Sequence, residues 1–406
     1  MRVCILVGSL AISGGTYVII QHALFLQSSG ITVTLAVQES FTKETFAWHD
    51  RASSLRFISF EQGKRENYDL VIATWWKTAL ELGDFQAERF AYFVQSIESR
   101  FYPTEESPLR ELVDSTYSLP VSYVTEASWI QQHLALKHNQ HSTLVRNGIR
   151  KDLYGKDGKT LSPKKLSTPR VLVEGHFGVS FKNTALAIRL AWEAGARDIW
   201  VLTGSPVKYL PKVARVFSRV PVSEAAAIYR SCDILVKLST VEGMFGPPLE
   251  MFHCGGTAIV FNVSGHDEYI RDGFNARVLS RNDSDGVVSV LRELLNDPSA
   301  LKVLKDGAVD TASAWPSWDE SSAQFLGWTK SCIEAPKQEP STLRDFSSKA
   351  WSQYIKNEEA RLAANPNIIR RRKVRYALSK MASPIRPYFK QIQAISEVLW
   401  RRRISL

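Results

Sequence analysis

Cysteine is scarce in this chain: four among 406 residues, at positions 4, 232, 254 and 332, with no CxxC pair and no metal-ligand spacing. That argues against a disulfide scaffold or a zinc cluster, and makes a reducing compartment the simpler expectation. Long apolar runs are missing too. No stretch of about 18 apolar residues occurs, so no spanning helix is expected. The opening RVCILVGSL carries a single flanking Arg and leads through Gly14-Gly15 straight into another periodic segment. It reads as a buried strand and not as a cleaved leader. An excess of positive charge is absent from most of the molecule as well. Residues 331–406 hold sixteen Lys/Arg against six Asp/Glu, and the remainder holds thirty-five of each, so the whole net charge of +10 sits in the C-terminal tail.

What is present is ordinary globular composition, 44% hydrophobic and 23% charged, at a length that suits two domains and an appendage. Residues 2–10 and 31–37 read as strands around a helical segment at 17–27, a β-loop-α-β start that favours a parallel sheet. Further strands are expected at 56–60, 70–74, 91–95, 122–125 and 142–145. At 151–169 the composition turns to Lys, Gly, Ser and Pro, which marks a linker. A second series follows, with strands at 170–174, 199–203, 234–238 and 257–261. Helices are expected at 183–194, 223–231, 248–254 and 285–296. The expected organisation is therefore an α/β protein of two doubly wound domains, 1–150 and 170–314, facing across a cleft. A helix at 315–331 would cross back to the first domain, 334–345 reads as a polar segment, and 332–406 forms a basic tail.

The stretch richest in chemistry is Glu242-Gly-Met-Phe-Gly-Pro-Pro-Leu-Glu250. It reads as a strand end, a Gly-rich turn and a helix opening near Pro248, where a proline removes no intrahelical hydrogen bond. The N–H groups at a helix start suit an anion. Two carboxylates in that frame can each accept paired hydrogen bonds from vicinal hydroxyls, as a sugar and a ribose would offer.

With its continuation MFHCGG and the later GHDEYIRDGFNARVL, this segment resembles the signature of glycosyltransferase family 4, in which two glutamates are separated by seven residues. The match runs with varying strength from Val3 to about Asn296. In YFVQSIESRFYP, VTEASWI and VRNGI the chain resembles the rhamnosyltransferase-like, surface-polysaccharide branch. The resemblance implies the GT-B fold, two Rossmann-like domains, and transfer of a hexose or deoxyhexose with retained configuration. It further implies a nucleotide-diphosphate donor, a glycan or lipid-linked acceptor, and neither cofactor nor metal.

Carried over by position, Glu242 would contact the donor sugar and Glu250 the ribose. The segment Gly243, Met244, Phe245 and Gly246 would hold sugar and phosphate, Phe245 and Gly246 through their backbone. Lys182 matches the diphosphate lysine, Gly14 and Gly15 the N-terminal Gly-rich loop, and Gly204 a further donor-binding position. Gln95 stands where many members keep a His and would contact the donor; Glu98 and Glu268 are further site candidates. His253 and His266 read as structural. One departure is plain: the family's Arg after the strand-ending glycine is His176 here, so His176, Arg219 or another cation must replace its charge. The basic tail, interleaved with Tyr376, Tyr388, Phe389, Leu399 and Trp400, fits an anionic membrane face. The expected location is therefore cytoplasmic, peripheral on the inner membrane face, with no nucleic-acid partner. A binding-only member of the fold and a sugar-nucleotide 2-epimerase remain open as alternatives.

Overall fold

The computed structural model describes residues 1–164, 167–365 and 386–399, with side chains of the last helix from residue 390 onward. The chain divides into two compact units: Met1–Gly148 with Trp318–Ser383, and Ile149–Ser317 with Pro384–Leu406.

Among the described residues the first unit holds nine strands, beginning in chain order with β1 (Arg2–Val7), β2 (Thr32–Val37), β3 (Arg56–Ser59), β4 (Asn67–Tyr68) and β5 (Leu70–Ala73). They continue with β6 (Gln86–Ala87), β7 (Phe90–Val94), β8 (Ser122–Thr125) and β9 (Ser142–Leu144). Seven of these form a sheet ordered β3-β2-β1-β5-β7-β8-β9, every pair parallel. Strands covered on both faces read as unbroken apolar runs, as CILV and LVIA do here. The helix Gly14–Ser28 starts where Ser13 Oγ accepts from the Thr16 amide. Trp318–Glu334 packs on it, with the buried His22 ring stacked on Phe325 at 4.2 Å and bonded to Ser322 Oγ at 2.9 Å.

The second unit carries β10 (Val171–Glu174), β11 (Ile199–Thr203), β12 (Arg215–Ser218), β13 (Ile234–Lys237), β14 (Thr257–Phe261) and β15 (Ala276–Leu279). Its sheet is also wholly parallel, ordered β12-β11-β10-β13-β14-β15. The order reverses between β10 and β13, and in such sheets ligands bind beyond the carboxyl ends of the strands at that point.

Several expectations change. Residues 151–164, read as part of a linker, belong to the second unit: Tyr154 is buried, and the Arg230 guanidinium donates to the carbonyls of Leu153 and Lys159. The polar stretch 334–345 is helical from its middle onward, because Pro340 opens a 25-residue helix to Ala364, anchored by the buried Leu343 and by Arg344 donating to the Gly83 carbonyl. Edge strands β12 and β15 and the helix Pro298–Ala314 were not anticipated; half-exposed RVFS and ARVL lack the apolar run that marks the central strands. The tail clusters at 370–373 and 401–403, with Lys380, Tyr376 and Trp400, lie outside the described residues.

Candidate active site

At the strand-order reversal of the second unit, β10 and β13 run in parallel register, Val173 beside Val236, so their last residues Glu174 and Lys237 are neighbours. The Lys237 ammonium pairs with Glu174 Oε2 and lies 3.8 Å from Glu242 Oε1. Lys182 donates to Glu242 Oε2 at 2.7 Å. Two lysines and two glutamates thus alternate across the ends of two central strands.

Local chemistry fixes this placement. Asn183, at φ 49, ends a short turn at Ser180–Lys182, and its side chain donates to the Leu238 carbonyl at 2.9 Å. The Thr240 amide donates to the Phe181 carbonyl at 2.8 Å. These two bonds stitch the segment bearing Lys182 to the loop bearing Glu242. Burial favours the neutral carboxyl of Glu242, yet Lys182 and Lys237 outweigh it and hold Glu242 below the usual carboxylate range. Burial likewise opposes the charge of Lys237, and Glu174 and Glu242 overcome it, raising the ammonium's pKa. Glu242 Oε1 is buried without a hydrogen-bond partner. A buried acceptor in that state costs about 1–3 kcal/mol, which a donor hydroxyl from a ligand would recover.

Glu250 lies one helical turn into Gly246–His253, half-buried beside the hydroxyls of Tyr229 and Tyr154. Burial, with the Tyr hydroxyls opposing it and Glu174 adding to it, pushes its carboxyl up to about 7. The helix opens earlier than expected, and its start offers little backbone charge. Pro247 and Pro248 have no N–H, and the Gly246 amide donates to the Met244 carbonyl at 3.1 Å. Phe245 is fully buried, and its carbonyl accepts from Tyr269. Gly243 and Met244 are half-exposed between Glu242 and this helix start.

His176 follows Gly175, whose φ of +156 and 2.3 Å clearance from Thr184 Oγ1 leave no room for a side chain. His176 is half-buried; burial first, then the cations Lys182, Lys237 and Lys390, lower its pKa against Glu174, so the ring is neutral near pH 7. Arg219 donates to the Gly204 carbonyl at 3.3 Å. Glu268 sits in the short turn His266–Glu268, half-exposed. His253 and His266 bond the carbonyls of Leu249 and Val263 within their own turns.

The remaining candidates belong to the first unit. A Cβ on Gly15 would stand 3.2 Å from Gln95 Oε1, so the glycine turn and Gln95 are adjacent. Nothing crowds Gly14. Gln95 Nε2 reaches the Thr74 carbonyl at 3.4 Å, and Oε1 is buried without a partner. Glu98 is engaged inside the unit, where its Oε2 accepts from the Trp76 amide at 2.8 Å and burial raises its pKa to about 8. Sequence reasoning missed Glu174 and Lys237. Their signal was a charged residue closing an otherwise apolar strand, in VLVE and ILVK. Among the described residues no group of three His, Cys, Asp or Glu could hold a metal ion.

Two parallel doubly wound sheets define the fold, and solved structures place it. HepE of Anabaena, in complex with UDP and glucose, superposes with a TM-score of 0.66 at 13% identity, over 82% of this chain and 100% of that one. Sucrose-phosphate synthase of Thermosynechococcus elongatus gives 0.63 at 13%, over 82% and 100%. WaaG, a glycosyltransferase involved in lipopolysaccharide biosynthesis, gives 0.61 at 12%, over 80% and 99%. The fold is GT-B. Residues 208–309, which include Glu242, Glu250 and Glu268, match the family model of glycosyl transferases group 1. D-inositol 3-phosphate glycosyltransferase 1 of Catenulispora acidiphila is 28% identical over 126 residues, 31% of this chain and 30% of that protein. The match thus spans about a third of the curated relative's length.

Proposed function

We propose that this protein is a retaining glycosyltransferase that moves a hexose or deoxyhexose, rhamnose included, from a nucleoside diphosphate to a surface-glycan or lipid-linked acceptor. The observation that carries the reading is the charged quartet at the β10/β13 reversal, within and beside the segment that matches glycosyl transferases group 1. Its Glu242 Oε1, buried without a hydrogen bond, is suited to a sugar hydroxyl. Lys182 would leave Glu242 for the diphosphate as it departs, an electrostatic contribution of the kind that dominates many such reactions. Glu242 positions the sugar, and Glu250, once ionised, accepts from the ribose. The acceptor attacks from the face the diphosphate leaves, and the leaving phosphate takes its proton, so the proposed reaction calls for neither a protein nucleophile nor a metal. HepE's complexes with UDP and with UDP-glucose make uridine donors the first to try.

The acceptor is proposed to lie at a membrane that the basic tail reaches from the cytoplasmic side. Exposed Ile392 and Leu399 on the last helix support that, and no described helix is long and apolar enough to cross a bilayer. The test of the activity is acceptor-dependent release of nucleoside diphosphate by wild type and by Glu242→Ala over a panel of donors. Release lost in the variant supports the reading; equal release, or none in either with every donor, favours a binding-only protein.

A further inference from the structure

A donor diphosphate needs positive charge, and the two lysines at the β10/β13 reversal are already paired. Lys182 and Lys237 are neutralised by Glu242 and Glu174. His176, standing where the family's Arg would be, has its pKa lowered chiefly by burial, and Arg219 keeps its charge but is tied to the Gly204 carbonyl through Nε. The helix start at Gly246 presents two prolines and a committed amide. Beyond Lys182, which must first leave Glu242, a second cation would add to the hold on the diphosphate.

The helix Arg386–Leu399 returns to this unit from the far end of the chain. Ala394 and Val398, one turn apart, are fully buried in the same core as Ala187 and Ile188 of the helix Thr184–Glu193. Gln391 clamps the loop after β11 from both sides: its Oε1 accepts from the Lys208 amide at 2.7 Å and its Nε2 donates to the Tyr209 carbonyl at 2.5 Å. Arg189 donates to the Glu397 carbonyl at 2.6 Å. The Gln393 amide lies 3.3 Å from where a Cβ on Gly178 would stand, against the loop that follows β10. Lys390 is three residues before Gln393 and so shares its side of the helix. It is exposed, with no ion pair among the described residues, and is one of the cations acting on His176.

We propose that this helix is a built part of the donor site, and that Lys390 supplies the diphosphate-binding charge missing from the loop after β10. The inference rests on the glycosyltransferase reading and adds to it a residue more than two hundred positions downstream of that loop, outside the matched segment. Gln391 is the positioning residue, holding the helix so that the ammonium reaches the loop.

The experiment is calorimetric titration of the full-length protein with UDP, GDP, ADP and dTDP, using whichever binds wild type, and with inorganic pyrophosphate. Lys390→Ala is expected to weaken the nucleoside diphosphate about tenfold, as loss of one charge-assisted contact does. Lys390→Arg should bind within about threefold of wild type, and the parent nucleoside should bind both forms alike. Gln391→Ala should weaken binding in the same direction by less. Lys349→Ala, which removes an exposed charge in the first unit, should change nothing. Lys390→Ala binding like wild type while Lys182→Ala loses tenfold or more would overturn the proposal and leave the donor site intact. Equal losses in Lys390→Ala and Lys349→Ala would reduce it to general charge and overturn it too. Absence of any nucleoside diphosphate binding in wild type would sink both readings.

Discussion

The two units share one topology and differ in what they place at the ends of their central strands. In the second, Glu174, Lys237, Glu242 and Lys182 form an alternating set of charges around the β10/β13 reversal. In the first, the reversal falls between β1 and β5, and the residues just beyond it are neutral. A Cβ on Gly8 would meet the Trp75 ring at 2.6 Å, and Gln95 covers Gly15. The Glu98 carboxyl is turned inward to hold the Trp76 amide. One scaffold therefore carries two edges: one of alternating buried ion pairs, and one of glycine, amide and indole, with a single ammonium, Lys77, over the Trp75 ring.

That contrast can be broken most forcefully at Lys237. Replacing it with Met leaves Glu174 and part of Glu242 without their buried counter-ion, and stability should fall by roughly 3–5 kcal/mol in denaturant unfolding. A loss under about 1 kcal/mol would mean that the quartet is not a coupled unit. Next in size, Glu242→Ala should lower the rate of nucleoside diphosphate release by on the order of 10²–10³, as loss of one preorganised contact to a transition state does, with folding retained.

A smaller effect concerns Glu250, whose carboxyl sits near 7 in the folded protein and 4.5 when unperturbed. Because its folded pKa is raised, the group binds more protons folded than unfolded between those values, so its contribution to stability diminishes as pH climbs from 4.5 through about 7. Affinity should run the other way. The ribose-accepting form is the carboxylate, so nucleoside diphosphate binding should weaken as pH drops below about 7, by up to about tenfold per unit. Glu250→Gln should flatten that profile; an unchanged inflection in the variant would assign it to another group. Smallest is Gln95→Ala in the first unit, which removes no charge. It should cost about 1 kcal/mol in transition-state stabilisation, roughly fivefold in kcat/KM. A loss as large as that at Glu242 would erase the contrast between the two edges.

Periodicity and strand composition made both parallel sheets legible, because buried parallel strands write themselves as short apolar runs. Strands 122–125, 199–203 and 257–261 stand where they were expected. Resemblance to the family's motifs singled out Glu242 and Lys182, and the fold puts them 2.7 Å apart. What stayed hidden had physical reasons. Glu174 and Lys237 are 63 residues apart, and only the β10/β13 crossover makes them neighbours. The prolines at 247 and 248 marked the helix and their lack of N–H was plain, but the Gly246 amide's bond to the Met244 carbonyl was not. Lys390 looked like one more charge in a basic tail until its helix was seen to return to the second unit.

The central claim is that the quartet at the β10/β13 reversal is a donor site in its resting state. Its most direct test is a crystal structure with a bound nucleotide sugar, and the distance to read is Lys182 Nζ to Glu242 Oε2, now 2.7 Å. We predict that Lys182 has moved onto the diphosphate and that Glu242 Oε1 accepts a sugar hydroxyl. A donor bound away from these residues, with the Lys182–Glu242 pair unbroken, would contradict the account.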